Sequence, residues 1–513
     1  MRAYDPHESG VQYLEDMACA YWQSELLYTA IDLDVFTHLQ TPGMGAAELA
    51  AKLECNEAAL CRFLDALTSF GLLGCHDGNY ANSAIADTHL VPGKPGYQGN
   101  SILWRKQLEF SWRELTSGIQ SGGRTVFGDD GAIPDEQEMR LRRRAYIQAM
   151  DDMAEAKTHE ILELFVALPK RARILDVGAG SGAVAAGFMN KFPDSSATLM
   201  DIAEINEVSR ELMSERGLSR ACDFLGTNIL EQWPSSLGQF DLIIMSNIVH
   251  AFSEADVAFV FIQAAAHLAA GGMILVHDFF QEHFSEKAAL FDLNMLINTY
   301  NGGVHPAKRL TSMLASHGLT VNPLLPLAGD TGLIVATKPP VVEGRICIDQ
   351  LSRLTALIRE LGFSSVEQIA LEDILVVDWA AQRCQFGCPL YGHKHCPPNG
   401  LNADKTRKLL SEFSTALLLE GEPPGREFQK RVVQAERLAF AEGYYKAFAF
   451  WAGPCDLCNN CTADSVCSHP ADVRPSMEGA GIDVFGTVRG MQKQIKTLGA
   501  NDFVKYFGLL LVE

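Results

Sequence analysis

From Arg173 to Thr337 the chain alternates short apolar runs with longer stretches whose apolar positions recur at helical spacing. The apolar runs predict strands over 173–177, 197–200, 222–225, 240–246, 273–277, 319–321 and 332–337. Strands separated by helices predict a doubly wound, mostly parallel sheet. The polar turn Ala328-Gly329-Asp330-Thr331 predicts that the last two strands form an antiparallel hairpin. The longest apolar run, 257–276, carries Gln263 and His267 and is broken by Gly271-Gly272. It therefore reads as a buried helix leading into a strand, not as a membrane span.

The first hundred residues are patterned as helices. Periodic stretches at 46–53 and 60–67, followed by Gly71-Leu72-Leu73 and a polar hairpin signal, predict a helix-turn-helix with a wing. Residues 105–165 continue as helices, with Arg140-Leu141-Arg142-Arg143-Arg144 reading as a solvated face. Pro339-Pro340 end the last strand and mark a boundary.

At 513 residues the chain is long enough for two to four domains. The predicted division is a helical winged-helix domain over 1–165, a Rossmann-like α/β domain over 166–340 and a cysteine-rich α+β domain over 341–513. A net charge of −21 opposes nonspecific attraction to nucleic acid and to anionic lipid, which leaves small molecules and proteins as the expected partners. The winged helix offers only Arg62 as a base-reading cation on its second helix, so it reads as a dimerisation platform before a DNA reader. The polar N-terminus, with no apolar leader, points to the cytoplasm.

Candidate chemistry begins at Arg173-Ile174-Leu175-Asp176-Val177, which runs into Gly178-Ala179-Gly180-Ser181-Gly182 and an Ala-rich helix start. Glycines there let the backbone turn sharply and bring a ligand against the free N–H groups of a helix N-terminus. Gly178, Gly180 and Ala183 also satisfy the dinucleotide pattern, so the loop alone admits NAD or S-adenosylmethionine. Asp176 inside the first strand and Asp201 at the end of the second sharpen it, since a carboxylate at that second position accepts from both ribose hydroxyls. The run Asp176 to Gly182 resembles motif I of S-adenosylmethionine-dependent methyltransferases.

Over its first 340 residues the chain resembles the dimeric small-molecule O-methyltransferase family that includes caffeate and hydroxyneurosporene methyltransferases. The terminal antiparallel hairpin belongs to that resemblance. It implies a homodimer that methylates a small hydroxylated aromatic or heteroaromatic acceptor. It places the adenine against Asn228 and Ile229, where the family has an acid, and counts Ser246 at the strand end with the cofactor site. The family's catalytic base falls on His250 in Ser246-Asn247-Ile248-Val249-His250, with Ala251 where Asp is usual. Asp278 is its orienting acid, and His305, after Gly302-Gly303, stands where a second acid is usual. An imidazole suits the task, because a phenolic hydroxyl is a poor nucleophile until it loses its proton.

Thirteen cysteines are unevenly spread, and seven of them lie between 384 and 467: Cys384, Cys388, Cys396, Cys455, Cys458, Cys461 and Cys467. In a cytosolic chain such clustering indicates a metal before disulfides. C-x2-C-x2-C opens a ferredoxin-type site, so a [4Fe–4S] cluster is one occupant and a four-thiolate zinc site the other. The tail resembles a prokaryotic family known only as predicted metal-binding, through Cys384 to Gly392, Cys396-Pro397-Pro398, the four-cysteine run and Arg474 to Gly479. An iron–sulfur tail would imply an electron-transfer partner and an oxygen-sensitive, anaerobic cofactor pathway. Two readings from other classes stand beside the methyltransferase: a redox protein with a cofactor-binding domain, and a transcription regulator that senses S-adenosylmethionine.

Overall fold

A computed structural model of the chain describes residues 6–125, 136–339, 346–388, 390–393, 395–422, 425–458, 467–493, 495 and 506–513. These form two compact units, one of residues 1–324 and 329–347 and one of 325–328 and 348–513. Among the described residues no helix is long and apolar enough to cross a membrane.

In the first unit the winged helix is present. Helices Ala46–Lys52 and Glu57–Ser69 precede a hairpin of Leu73–His76 and Asn79–Asn82, and Met44–Gly45 adds to it as a third strand. The second helix starts where Asn56 accepts the Ala59 N–H at 3.0 Å, an N-cap that satisfies one orphan donor. Its Leu60, Leu64 and Leu67, spaced along one face, are buried. The long helix Pro6–Asp32 instead leaves Val11, Leu14, Tyr21 and Trp22 exposed.

The arginine run lies on helix Glu136–Glu163, and one expectation is corrected there. Arg140 and Arg144 do not merely face solvent: both pair with Glu211 on helix Ala203–Glu215. The pairs are partly exposed, so they orient the two helices more than they stabilise them.

The large sheet of this unit runs, edge to edge, Thr320–Val321, Gly332–Thr337, Leu268–Asp278, Phe240–Ser246, Arg173–Val177, Ser196–Asp201 and Cys222–Gly226. The last five are parallel, while Gly332–Thr337 is antiparallel to both of its neighbours on this path. The central strands read as continuous apolar runs because helices cover both faces. One face packs Phe240, Ile243, Phe261 and Leu310 into a single core. The chain leaves the sheet centre in one direction after Arg173–Val177 and returns to the other side at Phe240–Ser246. That reversal opens a crevice at the carboxyl ends of those two strands.

The second unit holds a four-stranded antiparallel sheet in the order Ser365–Ile369, Ala416–Gly421, Tyr506–Leu511, Phe448–Phe450. Its residues alternate between two cores. Leu417, Leu419 and Leu510 pack against Leu354, Phe428 and Val432 of helices Gln350–Arg359 and Arg426–Ala441. Leu418, Leu509 and Leu511 pack against Leu410 and Val488 of helices Ala403–Leu410 and Val484–Gly490. Period-two alternation with helices on both sides is why this sheet is apolar on each face.

Candidate active site

The glycine loop forms at the carboxyl end of Arg173–Val177. Gly178 and Gly182 have φ of +68° and +77°, in the left-handed region that glycine enters without cost. A Cβ at Gly178 would lie 2.5 Å from Ile248 Cγ1, and one at Gly182 2.8 Å from Leu199 Cδ1, so neither position has room for a side chain. Helix Ala183–Lys191 begins at Gly182, which has no side chain to cap it, and the Ala183 N–H donates instead to Ser181 Oγ at 3.3 Å.

Asp201, at the end of the second strand, accepts the Gly180 N–H at 2.9 Å and the Ile202 N–H at 2.8 Å. Burial raises its carboxyl above the usual range, and those two amides pull it back down. Asp176 is only 3% exposed. Burial pushes its carboxyl up to about 7, helped by the Asp201 charge and opposed by the Ala185 amide. Asn228 is exposed, its Oδ1 accepting the Leu230 N–H at 3.0 Å, and Ile229 beside it is buried. Asn247, after the fourth strand, holds φ at +52°, and its buried Oδ1 lacks a partner among the described residues. An open loop, a strand-end carboxylate and an orphan acceptor form a donor and acceptor set that fits an adenosyl ligand.

His250 and Asp278 meet across the same strand ends. His250 Nδ1 lies 2.6 Å from Asp278 Oδ1, and the His250 backbone N–H donates to Asp278 Oδ2 at 3.3 Å. Asp278 is 1% exposed and also accepts the Phe279 N–H at 2.8 Å. With Nδ1 held by the carboxylate, Nε2 is the nitrogen left to take a proton. Around the imidazole, Phe291 packs edge-on with centroids 4.9 Å apart, and Phe279 stacks on Phe291 at 3.9 Å.

His305, expected to act beside this pair, is engaged through its ring with the backbone on either side of His250. Its Nε2 meets the carbonyls of Val249 at 3.2 Å and Phe252 at 3.0 Å, so it ties down the loop carrying His250. Gly303 helps by donating its N–H to the His250 carbonyl at 2.9 Å. Ser246 is engaged too, bonded through Oγ to His277 Nδ1 at 2.8 Å, while His277 Nε2 bonds Thr331 Oγ1 at 2.8 Å. His277 is fully buried, and burial holds its pKa down at about 4, so it is a neutral bridge between two hydroxyls. Sequence reasoning passed over His277, Phe279 and Phe291; the adjacency of His277 and Phe279 to Asp278 was the available signal.

In the second unit Cys384, Cys388, Cys396, Cys455, Cys458 and Cys467 are half-buried and not joined in disulfides, and Cys461 lies outside the described residues. Among the described residues no three His, Cys, Asp or Glu side chains are grouped closely enough to grip an ion. Two of the thiols have defined surroundings. Burial, with Cys388 and Glu478 nearby, raises the Cys384 thiol pKa. Cys455 Sγ accepts from Gln429 Nε2 at 3.5 Å, and Gln429 Oε1 accepts the Asp456 N–H at 3.0 Å. Gln429 is fully buried, so it fixes the start of the second cysteine run.

Residues 15–92 match the O-methyltransferase dimerisation domain, 112–320 the O-methyltransferase domain, and 367–512 a family described as predicted metal-binding protein. The chain is similar to 3-hydroxy-5-methyl-1-naphthoate 3-O-methyltransferase of Streptomyces sahachiroi, 26% identical over 293 residues that make up 56% of this chain and 83% of that protein. It is similar to the tetracenomycin polyketide synthesis 8-O-methyl transferase TcmO of Streptomyces glaucescens, 26% identical over 65% of this chain and 98% of that one. Its fold matches that of human N-acetylserotonin methyltransferase, solved with S-adenosylmethionine, with a TM-score of 0.55 and 20% identity over 66% of this chain and 99% of that one.

Proposed function

The chain carries an O-methyltransferase domain behind the dimerisation domain of that family, with a predicted metal-binding domain after them, and from that premise we propose that it methylates a hydroxyl of a small aromatic acceptor with His250 as the base. The observation that carries this reading is the 2.6 Å contact between His250 and the buried Asp278 at the strand ends beside the glycine loop. S-adenosylmethionine supplies a methyl group on a positively charged sulfur, ready for in-line displacement. The chain's own residues do the rest. Gly178, Gly180 and Gly182 let the backbone approach the ligand, Asp201 accepts from its ribose, and Asn228 and Ile229 meet its base. His250 Nε2 takes the acceptor proton, and Asp278 holds the Nδ1–H and stabilises the imidazolium that results. The stacked Phe279 and Phe291 beside the imidazole suit a flat ring, in keeping with the aromatic substrates in the relatives' names. Holding the acceptor oxygen in line contributes much of the rate.

A panel of phenols, naphthols and hydroxy-heteroarenes, with amine counterparts, assayed for radiolabelled methyl transfer tests this. Transfer to hydroxyls that His250→Ala slows by about 10²- to 10⁴-fold is the expected result. Transfer to amines alone, or equal turnover by the variant, contradicts it.

The exposed Val11, Leu14, Tyr21 and Trp22 of the first helix are then the surface that a second copy covers in a homodimer. The tail is a metal site built on thiolates, for which an iron–sulfur cluster suits the C-x2-C-x2-C run better than zinc does. Equimolar zinc without iron in anaerobically purified protein would contradict the cluster.

A further inference from the structure

Three cysteine-bearing segments of the second unit converge on one turn, Ser476 to Gly479. Strand Phe448–Phe450 continues beside it: the Trp451 N–H donates to the Pro475 carbonyl at 3.0 Å and the Met477 N–H to the Trp451 carbonyl at 2.9 Å. That pairing places Gly453, two residues before Cys455, where its N–H donates to the Glu478 carboxylate. A second segment arrives from helix Asp378–Gly387, where Cys384 lies within electrostatic reach of both Cys388 and Glu478. The third is the Cys396 loop. A Cβ on Gly479 would sit 3.4 Å from Pro397 Cδ, so the residue after Cys396 packs directly on the turn.

At this junction the Glu478 carboxylate is incompletely satisfied. Its Oε2 is buried and has no hydrogen-bond partner among the described residues. Burial raises the Glu478 carboxyl above the usual carboxylate range, and its own amide, the Gly453 amide and the Arg383 charge offset this only in part. A second orphan belongs to the same neighbourhood: His393 Nδ1 is buried without a partner, and the Cys396 N–H bonds the His393 carbonyl at 3.1 Å. Buried polar atoms without partners are costly, and a carboxylate is the costliest kind unless a cation meets it. Thiols from three segments and a spare carboxylate oxygen form the mixed donor set that a transition-metal ion accepts.

We propose that Glu478 is an oxygen ligand of the metal centre held by the tail cysteines, at the turn where the Cys384/Cys388, Cys396 and Cys455/Cys458 segments meet. The ion draws these segments together, which is how ligand groups that are separate without metal become a site with it. The inference rests on the metal-binding reading of the tail proposed above.

The test uses full-length protein purified anaerobically, as wild type and as Glu478→Gln. Iron, zinc and acid-labile sulfide are measured, metal retention is followed against a chelator, and both metal-free forms are melted. Gln keeps the volume and can still accept the Gly453 N–H, but it removes the orphan charge. The expected result is metal lost to chelator at least about tenfold more readily by the variant, with an altered absorption or paramagnetic spectrum, while the metal-free variant melts no lower than metal-free wild type. A carboxylate that only braces the fold would give the reverse, a lower melting point without metal. Equal retention with an unchanged spectrum, or that lower melting point, overturns the assignment. Metal-free wild type would overturn the reading of the tail itself, and the sulfide and metal contents distinguish a cluster from zinc.

Discussion

The methyl-transfer site and the cysteine tail place their functional groups by opposite means. Asp176, Asp201, Ser246, His250 and Asp278 all stand at or just beyond the ends of strands in one sheet, so the sheet's register brings them together without any ligand. The His250–Asp278 contact is complete at 2.6 Å. The tail's thiols instead lie on a helix end and on loops that meet at the Ser476–Gly479 turn. A site on rigid elements is built by folding, whereas a site on loops is finished by its ligand.

The largest expected effect tests the preorganised half. His250→Ala should lower kcat by about 10²- to 10⁴-fold and leave the affinity for S-adenosylmethionine nearly unchanged, since general base catalysis is worth that much. Single-turnover rates with isothermal titration on the same preparation check both. Loss of cofactor affinity in step with kcat would mean that the residue packs the loop and does not act on the acceptor.

Next comes a pH effect from Asp176. The unfolded carboxyl gives up its proton near pH 4, the folded one near 7. Between those values the folded chain holds the extra proton, so stability falls as pH rises, by a few kcal/mol in all. Asp176→Asn should remove that fall from ligand-free melts taken across the window. An unchanged slope would show that Asp176 ionises normally.

Gly178→Ala asks whether the loop is as tight as its geometry indicates. The methyl must displace Ile248 and hold a left-handed φ, a cost of about 1–3 kcal/mol in unfolding free energy. Denaturant titration reads it, and a change below a few tenths would place the loop in looser packing. The smallest effect expected is across the units. Cys458→Ala should strip metal from the tail yet change S-adenosylmethionine affinity by less than about twofold, because each unit has its own core. A tenfold loss of cofactor affinity would end the contrast drawn between the two regions.

Legibility in the sequence followed the same division. Buried parallel strands are continuous apolar runs, so the strands at Arg173–Val177, Phe240–Ser246 and Gly332–Thr337 could be bounded to the residue. The fifth strand begins at Leu268, five residues earlier than its pattern indicates, because Leu268-Ala269-Ala270 continues the apolar helical run before it. His250 and Asp278 came from the family resemblance, which sets a base just after the fourth strand and an acid at the end of the fifth. The His277 bridge was not, because it depends on Leu333 pairing with His277 and so bringing Thr331 within reach, a register between distant segments. The place of His305 was also hidden, since local sequence does not say which carbonyls a loop histidine will meet. Glu478 sat inside a stretch singled out for its resemblance, but an orphan oxygen is a property of packing.

Isothermal titration of S-adenosylmethionine, and separately of NAD, into full-length wild type and Asp201→Ala tests the central claim most directly. The account predicts binding of S-adenosylmethionine alone, weakened in the variant by about 1.5–3 kcal/mol as charge-assisted bonds to the ribose are lost. Heat from NAD with none from S-adenosylmethionine would contradict it.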